Sequence, residues 1–173
     1  FLGANQELVK VIYFTASPLA PDKSSRQSAF LNANALLHPD KFEVVRGKYI
    51  NKTIMCPFCK TSISRPEEKK TDVNLSVRMM GDCFKNETDI VVLVSADTDL
   101  IPPIDFILNN FNNKKVKVYF PPSNNSFDIN GFMHAHKSSV IKLENNAVKF
   151  ANAVMPETVT DGLKTYTIPE NWK

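Results

Sequence analysis

The chain has 173 residues, 43% hydrophobic and 23% charged, and its 21 Lys and Arg against 18 Asp and Glu leave a net charge of +3. That length and composition fit one domain with its own core and exclude disorder, collagen and coiled coil. No apolar run of about 18 residues exists to cross a membrane, and +3 is too weak by itself to argue for nucleic acid. Three cysteines are too few for a disulfide scaffold and odd in number, which points to a reducing cytoplasm. The sequence opens at Phe1, mid-stream and without a Met, signal-peptide or transit-peptide pattern, which fits a fragment, a processed chain or a missing start.

Val9 to Phe14 is a β-branched and aromatic run that reads as a strand. Ala29, Phe30, Ala33, Leu36 and Leu37 recur at helical spacing, so Ser24 to Leu37 is a predicted helix, closed by His38-Pro39-Asp40. Phe42 to Ile50 reads as a second strand, and 51–66 as a polar excursion holding Cys56-Pro57-Phe58-Cys59. Glu67 to Phe84 reads as a helix. Ile90 to Val94 is a continuous apolar run, which predicts a parallel strand covered on both faces. Pro102 and Pro103 sit where a first helical turn tolerates them, and Ile104 to Phe111 continues that helix. Val116 to Phe120 reads as a strand, Ser126 to His136 as a helix, Val140 to Leu143 as a strand and Glu144 to Ala153 as a helix. Met155 to Lys173 reads as an extended tail anchored by Tyr166 and Trp172. Strands alternating with helices predict a doubly wound α/β sandwich, whose sites lie outside the carboxyl ends of the strands.

Asp97 and Asp99 fall at such a strand end, and Asp72 near the start of the preceding helix. Crowded carboxylates repel unless a cation neutralises them. Mg²⁺ and Mn²⁺ favour hard oxygen ligands, and such a cluster suits phosphodiester cleavage. A purely structural account fits equally well: Asp99 as a helix N-cap, Asp97 in an Asx-turn, Asp72 complementing a helix N-terminus.

The segment Glu68-Lys69-Lys70-Thr71-Asp72-Val73, followed by the strand ending Ser95-Ala96-Asp97-Thr98-Asp99-Leu100-Ile101-Pro102, resembles the NYN domain family, the LabA-like branch of the PIN-like nucleases. The resemblance extends more weakly from Leu2 to Trp172. It implies a Rossmann-like, PIN-like three-layer sandwich with a mainly parallel sheet flanked by helices. It implies metal-dependent RNA hydrolysis, with Asp72, Asp97 and Asp99 as catalytic ligands of Mg²⁺ or Mn²⁺. Lys69, Ser95 and Thr98 take the family's substrate-contacting places. Ala96 and Thr98 replace the usual glycine and serine. The family's opening strand, with its D-G-x-N acid, has no counterpart, so residues 1–154 read as an NYN domain lacking its first strand and helix, with a Cys-containing insert at 51–66 and a tail at 155–173. That departure keeps a second expectation alive: a catalytically inactive RNA-binding or regulatory NYN module. A third is a phosphoryl-transfer enzyme using Asp97-x-Asp99, since one fold class hosts many chemistries.

Outside the acidic motif, Cys56-x-x-Cys59 can offer two thiolates to zinc, which takes four ligands. Cys83 reads as core, and His134 and His136 as partly exposed helix residues. Lys60, Arg65, Lys69, Lys70 and Arg78 suit a phosphate backbone, and Phe58 suits base stacking. Lys114 to Lys117 read as a solvated face. Asn124, after Pro121-Pro122, falls on the same sheet edge as Asp97 and is a candidate substrate contact. The expected partner is RNA, in the cytoplasm and off the membrane, and a homo-oligomer stays open.

Overall fold

A computed structural model describes residues 1–138 and 140–172. The chain divides into two units, residues 1–74 with 156–173, and residues 75–155.

In the first unit, strand β1 (Val11–Thr15), helix α1 (Pro21–Leu37) and strand β2 (Phe42–Arg46) form a βαβ element. β1 and β2 pair in parallel, from Val11 opposite Phe42 to Thr15 opposite Arg46. Pro21 opens α1 in its first turn, where its missing N–H costs nothing. The helix ends as expected at His38, whose N–H reaches the Asn34 carbonyl at 2.9 Å. Leu31 and Ala33 are the buried positions of α1.

The expected strand from Phe42 to Ile50 is two strands. Gly47 lets the chain change direction between β2 and β3 (Lys48–Met55), so the ladder partner changes from β1 to β4 (Ser62–Lys69). A Cβ at Gly47 would crowd the Thr71 hydroxyl and lie 2.7 Å from the Lys69 carbonyl oxygen, so only glycine fits this approach. Residues 51–66 are accordingly an antiparallel ribbon, not a loop, with Cys56 to Lys60 at its turn. Lys60 takes φ 57° there. For the same reason helix α2 (Thr71–Phe84) starts later than expected: Glu67 to Lys69 belong to β4. No apolar helical face precedes Val73, and Pro66 opposite Asn51 suits a strand edge.

Residues 158–167, expected as extended tail, form the hairpin β8 (Thr158–Thr160) and β9 (Thr165–Thr167), which packs against α1. Val159 is buried, Tyr166 is half-buried, and Trp172 meets Phe30 edge to face at 6.2 Å. The expected terminal residue Lys173 lies outside the described residues.

The second unit holds the rest of α2 and the parallel sheet β5 (Ile90–Val94), β6 (Lys115–Phe120) and β7 (Val140–Lys142), hydrogen-bonded in that order. Helix α3 (Ile101–Asn110) crosses from β5 to β6, and helix α4 (Phe127–Ala135) from β6 to β7. Pro102 and Pro103 lie in the first turn of α3, as expected. A 3-10 turn (Leu143–Asn146) and a short helix α5 (Ala147–Ala151) replace the expected single helix from Glu144. The core joins Leu93, Leu100, Ile104, Ile107, Val116, Val118, Phe120, Ile129 and Met133 with Met79 and Cys83 of α2. Each fully buried side chain of this size contributes about 1.5–3 kcal/mol.

Two expectations fail here. Within this unit β5 is covered on one face only: Leu93 is buried, but Val92 and Val94 are 44% and 55% exposed. Continuous β-branching reflects strand propensity here and not two-sided burial. Lys114 is not solvated: its side chain is 2% exposed and bonds the Asn86 amide oxygen and, at 3.3 Å, the Asp89 carboxylate. It closes the loop after α2, where Asn86 takes the left-handed φ of 59° common after a helix.

Candidate functional site

At the carboxyl end of β5, Ser95 extends the ladder through its N–H to the Tyr119 carbonyl at 3.2 Å. The Asp97 N–H then donates to Ser95 Oγ at 3.1 Å, and the Asp99 N–H to Asp97 Oδ1 at 3.0 Å. Asp97, not Asp99, is therefore the cap: it opens the 3-10 turn Thr98–Leu100 that leads into α3. Leu100, 1% exposed, pins that turn to the core, while Asp97, Thr98 and Asp99 stay exposed. Local hydrogen bonding thus sets two carboxylates two residues apart on a rigid turn, with the Ser95 hydroxyl between the strand and the first of them.

Parallel pairing of β5 with β6 puts the loop after Phe120 on the same sheet edge. Asn124 lies in it, exposed, its N–H bonded to the Pro121 carbonyl at 3.1 Å. Ser123 takes φ 63°, and its N–H donates to a Glu144 carboxylate oxygen at 3.1 Å. Glu144, at the carboxyl end of β7, was not anticipated; its place after a third parallel strand was the signal available. It ties the loop carrying Asn124 to the end of β7.

Asp72 and Lys69 belong to the first unit and Asp97 and Asp99 to the second. Asp72 is exposed in the first turn of α2. Lys69, the last residue of β4, pairs with Glu67 at 2.5 Å. That hydrogen bond, with Lys52 nearby, holds the Glu67 carboxyl below the usual range. Within the second unit, among the described residues, no third acidic, His or Cys side chain joins Asp97 and Asp99 in a metal-holding group. The donors present are all hard oxygen: two carboxylates, each with several lone pairs, and a hydroxyl. Mg²⁺ typically takes one or two carboxylates and completes its shell with water and substrate phosphate, so the chemistry of the set fits.

Cys56 and Cys59 flank the turn of the ribbon, one half-buried and one exposed. The Cys59 thiol donates to the Thr61 hydroxyl at 3.3 Å, and hydrogen bonding with that hydroxyl, then with the Thr61 backbone and the Cys56 thiol, favours the thiolate and lowers it to about 7. Two facing thiols supply half of a tetrahedral zinc shell. Cys83 is buried in the core, as expected, and burial raises its thiol. His134 is exposed. His136 donates from Nδ1 to the Phe132 carbonyl at 2.9 Å and stacks on the Phe132 ring at 4.3 Å, a local structural role.

The model of the NYN domain matches residues 1–143. The chain belongs to the NYN domain family. The NYN domain is also similar to the 6-hydroxy-3-succinoylpyridine 3-monooxygenase HspA of Pseudomonas putida, 27% identical over 188 aligned positions, which takes in 96% of this chain and 58% of the relative. The chain thus spans little more than half the length of that curated relative. No solved structure matches it. Among the described residues no helix is long and apolar enough to cross a membrane.

Proposed function

We propose that this NYN domain is a metal-dependent ribonuclease. The observation that carries the reading is the exposed Asp97–Asp99 pair, held by its own backbone at the carboxyl end of a parallel strand in a chain of this family. Asp97 and Asp99, with the Ser95 hydroxyl, would hold Mg²⁺ or Mn²⁺. Bound there, the cation supplies Lewis acidity toward a phosphodiester oxygen and lowers the pKa of a bound water. Thr98 and Asn124 line the same edge and would orient the RNA. The roles of Asp72 and Lys69 rest on the family motif alone. The finer fold, a Rossmann-like, PIN-like three-layer sandwich, is part of the same proposal; the parallel β1–β2 and β5–β6–β7 ladders with their crossover helices support it. So is a cytoplasmic location. Zinc at Cys56 and Cys59 is a separate proposal; a thiolate-to-cobalt absorption band in the Co²⁺-loaded chain, lost in Cys59→Ser, tests it.

The test is cleavage of a labelled RNA in Mn²⁺, stopped by chelator and by Asp99→Asn. No cleavage in Mg²⁺ or Mn²⁺ would favour a second reading, an RNA-binding module without catalysis. The pair of acids, with no third beside it among the described residues of its own unit, is the observation behind that reading. The relative's name supplies one more arm: turnover of 6-hydroxy-3-succinoylpyridine by the same preparation would replace the nuclease reading with a monooxygenase one.

A further inference from the structure

β3 and β4 make a ribbon that packs extensively against no other element of the described chain, and its residues are exposed on both faces. A lone two-stranded ribbon is marginally stable in water. Its register makes the exposure odder. On one face Lys48 stands opposite Lys69, Ile50 opposite Glu67, Lys52 opposite Arg65 and Ile54 opposite Ile63. Like charges directly opposed destabilise a sheet, and two of these four rows are of that kind. Glu67 lies between them, 2.5 Å from Lys69 and 3.5 Å from Lys52. Among the described residues, Lys48 and Arg65 have no carboxylate within ion-pair distance. Lys52, Ile54, Arg65, Pro66 and Glu67 line a hollow of about 470 Å³. At the tip the Phe58 ring is 93% exposed.

We propose that this face of the ribbon is a docking surface for single-stranded RNA, in which Lys48, Lys52, Arg65 and Lys69 meet successive phosphates and Phe58 stacks on a base. The choice of RNA as the polyanion rests on the nuclease reading. The surface itself rests on charge and spacing. Four residues of strand separate the two cation rows, about 14 Å at 3.4 Å per residue. That exceeds the screening length of about 8 Å at physiological salt. Glu67 already answers one cation of each row, Lys69 and Lys52, which leaves Lys48 and Arg65 at opposite ends of this face without an answering charge among the described residues; a bilayer touched by the tip would meet the nearer row alone. A chain of phosphates laid along the ribbon meets both. An exposed ring beside cations is the pairing that binds single strands without sequence preference.

Fluorescence anisotropy of a labelled RNA of about 15 nucleotides, in the span of a single-strand site, tests this with the full chain in EDTA across a KCl series. The double variant K52A/R65A should weaken binding about tenfold. It should also flatten the slope of log K against log salt by about 1.4, which is 0.7 for each of two lost phosphate contacts. Phe58→Ala should weaken binding about tenfold and leave the slope unchanged. Circular dichroism and melting check that both variants are folded, and K52R/R65K should bind like the parent. Affinity and slope unchanged in K52A/R65A would overturn the proposal. So would loss of binding to phosphatidylserine vesicles with RNA binding intact. Cleavage in Mn²⁺ is followed in parallel. Ribbon-dependent binding without cleavage removes the nuclease reading and keeps this surface; cleavage with ribbon-independent binding does the reverse.

Discussion

Asp97→Asn and Asp97→Ala separate two roles that one side chain combines. Asp97 Oδ1 accepts the Asp99 N–H at 3.0 Å, which starts the 3-10 turn, and the same carboxylate carries the charge at the strand end. Asn keeps an oxygen that accepts this hydrogen bond and removes the charge. Ala removes both. Asn and Asp serve nearly equally at such caps, whereas Ala costs about 1 kcal/mol. The position is exposed, so no cavity adds to that cost. The Ala variant should melt about 2–4 °C below the parent, the shift expected for a chain of this size, and the Asn variant within about 0.5 kcal/mol of it. Cleavage should fall in both by about a hundredfold or more, the scale for losing one preorganised electrostatic group. The assay is initial rate on a labelled RNA in Mn²⁺, beside thermal melts of the same preparations. An Asp97→Asn protein that cleaves at the parent rate would refute the reasoning. So would losses of rate that simply track the melting temperatures.

Ile104 is fully buried in the core of the second unit, so Ile104→Ala should cost 2–5 kcal/mol in urea unfolding, and a loss under about 1 kcal/mol would contradict the packing described. Gly47→Ala must push back the Lys69 carbonyl and Thr71 and should cost about 1–3 kcal/mol by the same measurement. Cys59, lowered to about 7, should be alkylated by iodoacetamide with half-maximal rate near pH 7, below the 8.5 or so of an ordinary thiol. A thiol held low is more ionised at neutral pH, so the rate rises through that value as pH rises; Thr61→Val should shift the midpoint upward, and an unshifted midpoint would remove the Thr61 hydroxyl as a cause.

Elements whose stability is local were legible in the sequence. β5, β6 and the α3 opening at Pro102-Pro103 declare themselves by propensity and by proline's place in a first turn. The Asp97–Asp99 turn was legible as a pair of acids, but which one caps was not, because that depends on a 3-10 turn chosen by burial of Leu100. The β3–β4 ribbon was illegible for a physical reason. Its strands lack an apolar alternation because neither face is buried, so the usual period-two signal is missing. Lys114 was misread on charge: its burial is set by Asn86 and Asp89, 28 and 25 residues away in sequence. The Glu144 contact to the Ser123 N–H spans 21 residues and depends on β6 and β7 being neighbours, which no local pattern encodes.

The opening of α3 has a thermodynamic consequence. Helix starts usually attract anions because their first N–H groups are free. Here the N–H of Asp97 goes to Ser95, that of Asp99 to Asp97, that of Leu100 to the Asp97 carbonyl and that of Ile101 to the Thr98 carbonyl. Pro102 and Pro103 have none to give. The backbone of this turn therefore offers few free N–H groups, and beside the two carboxylates the remaining donors are neutral side chains, so a phosphate arriving alone meets negative charge without a cation to offset it. On the proposed reading, cation and RNA bind there as mutually dependent ligands. Their coupling free energy is reciprocal: whatever factor the cation adds to RNA affinity, RNA adds to cation affinity. The turn then answers most strongly when both ligands are present together.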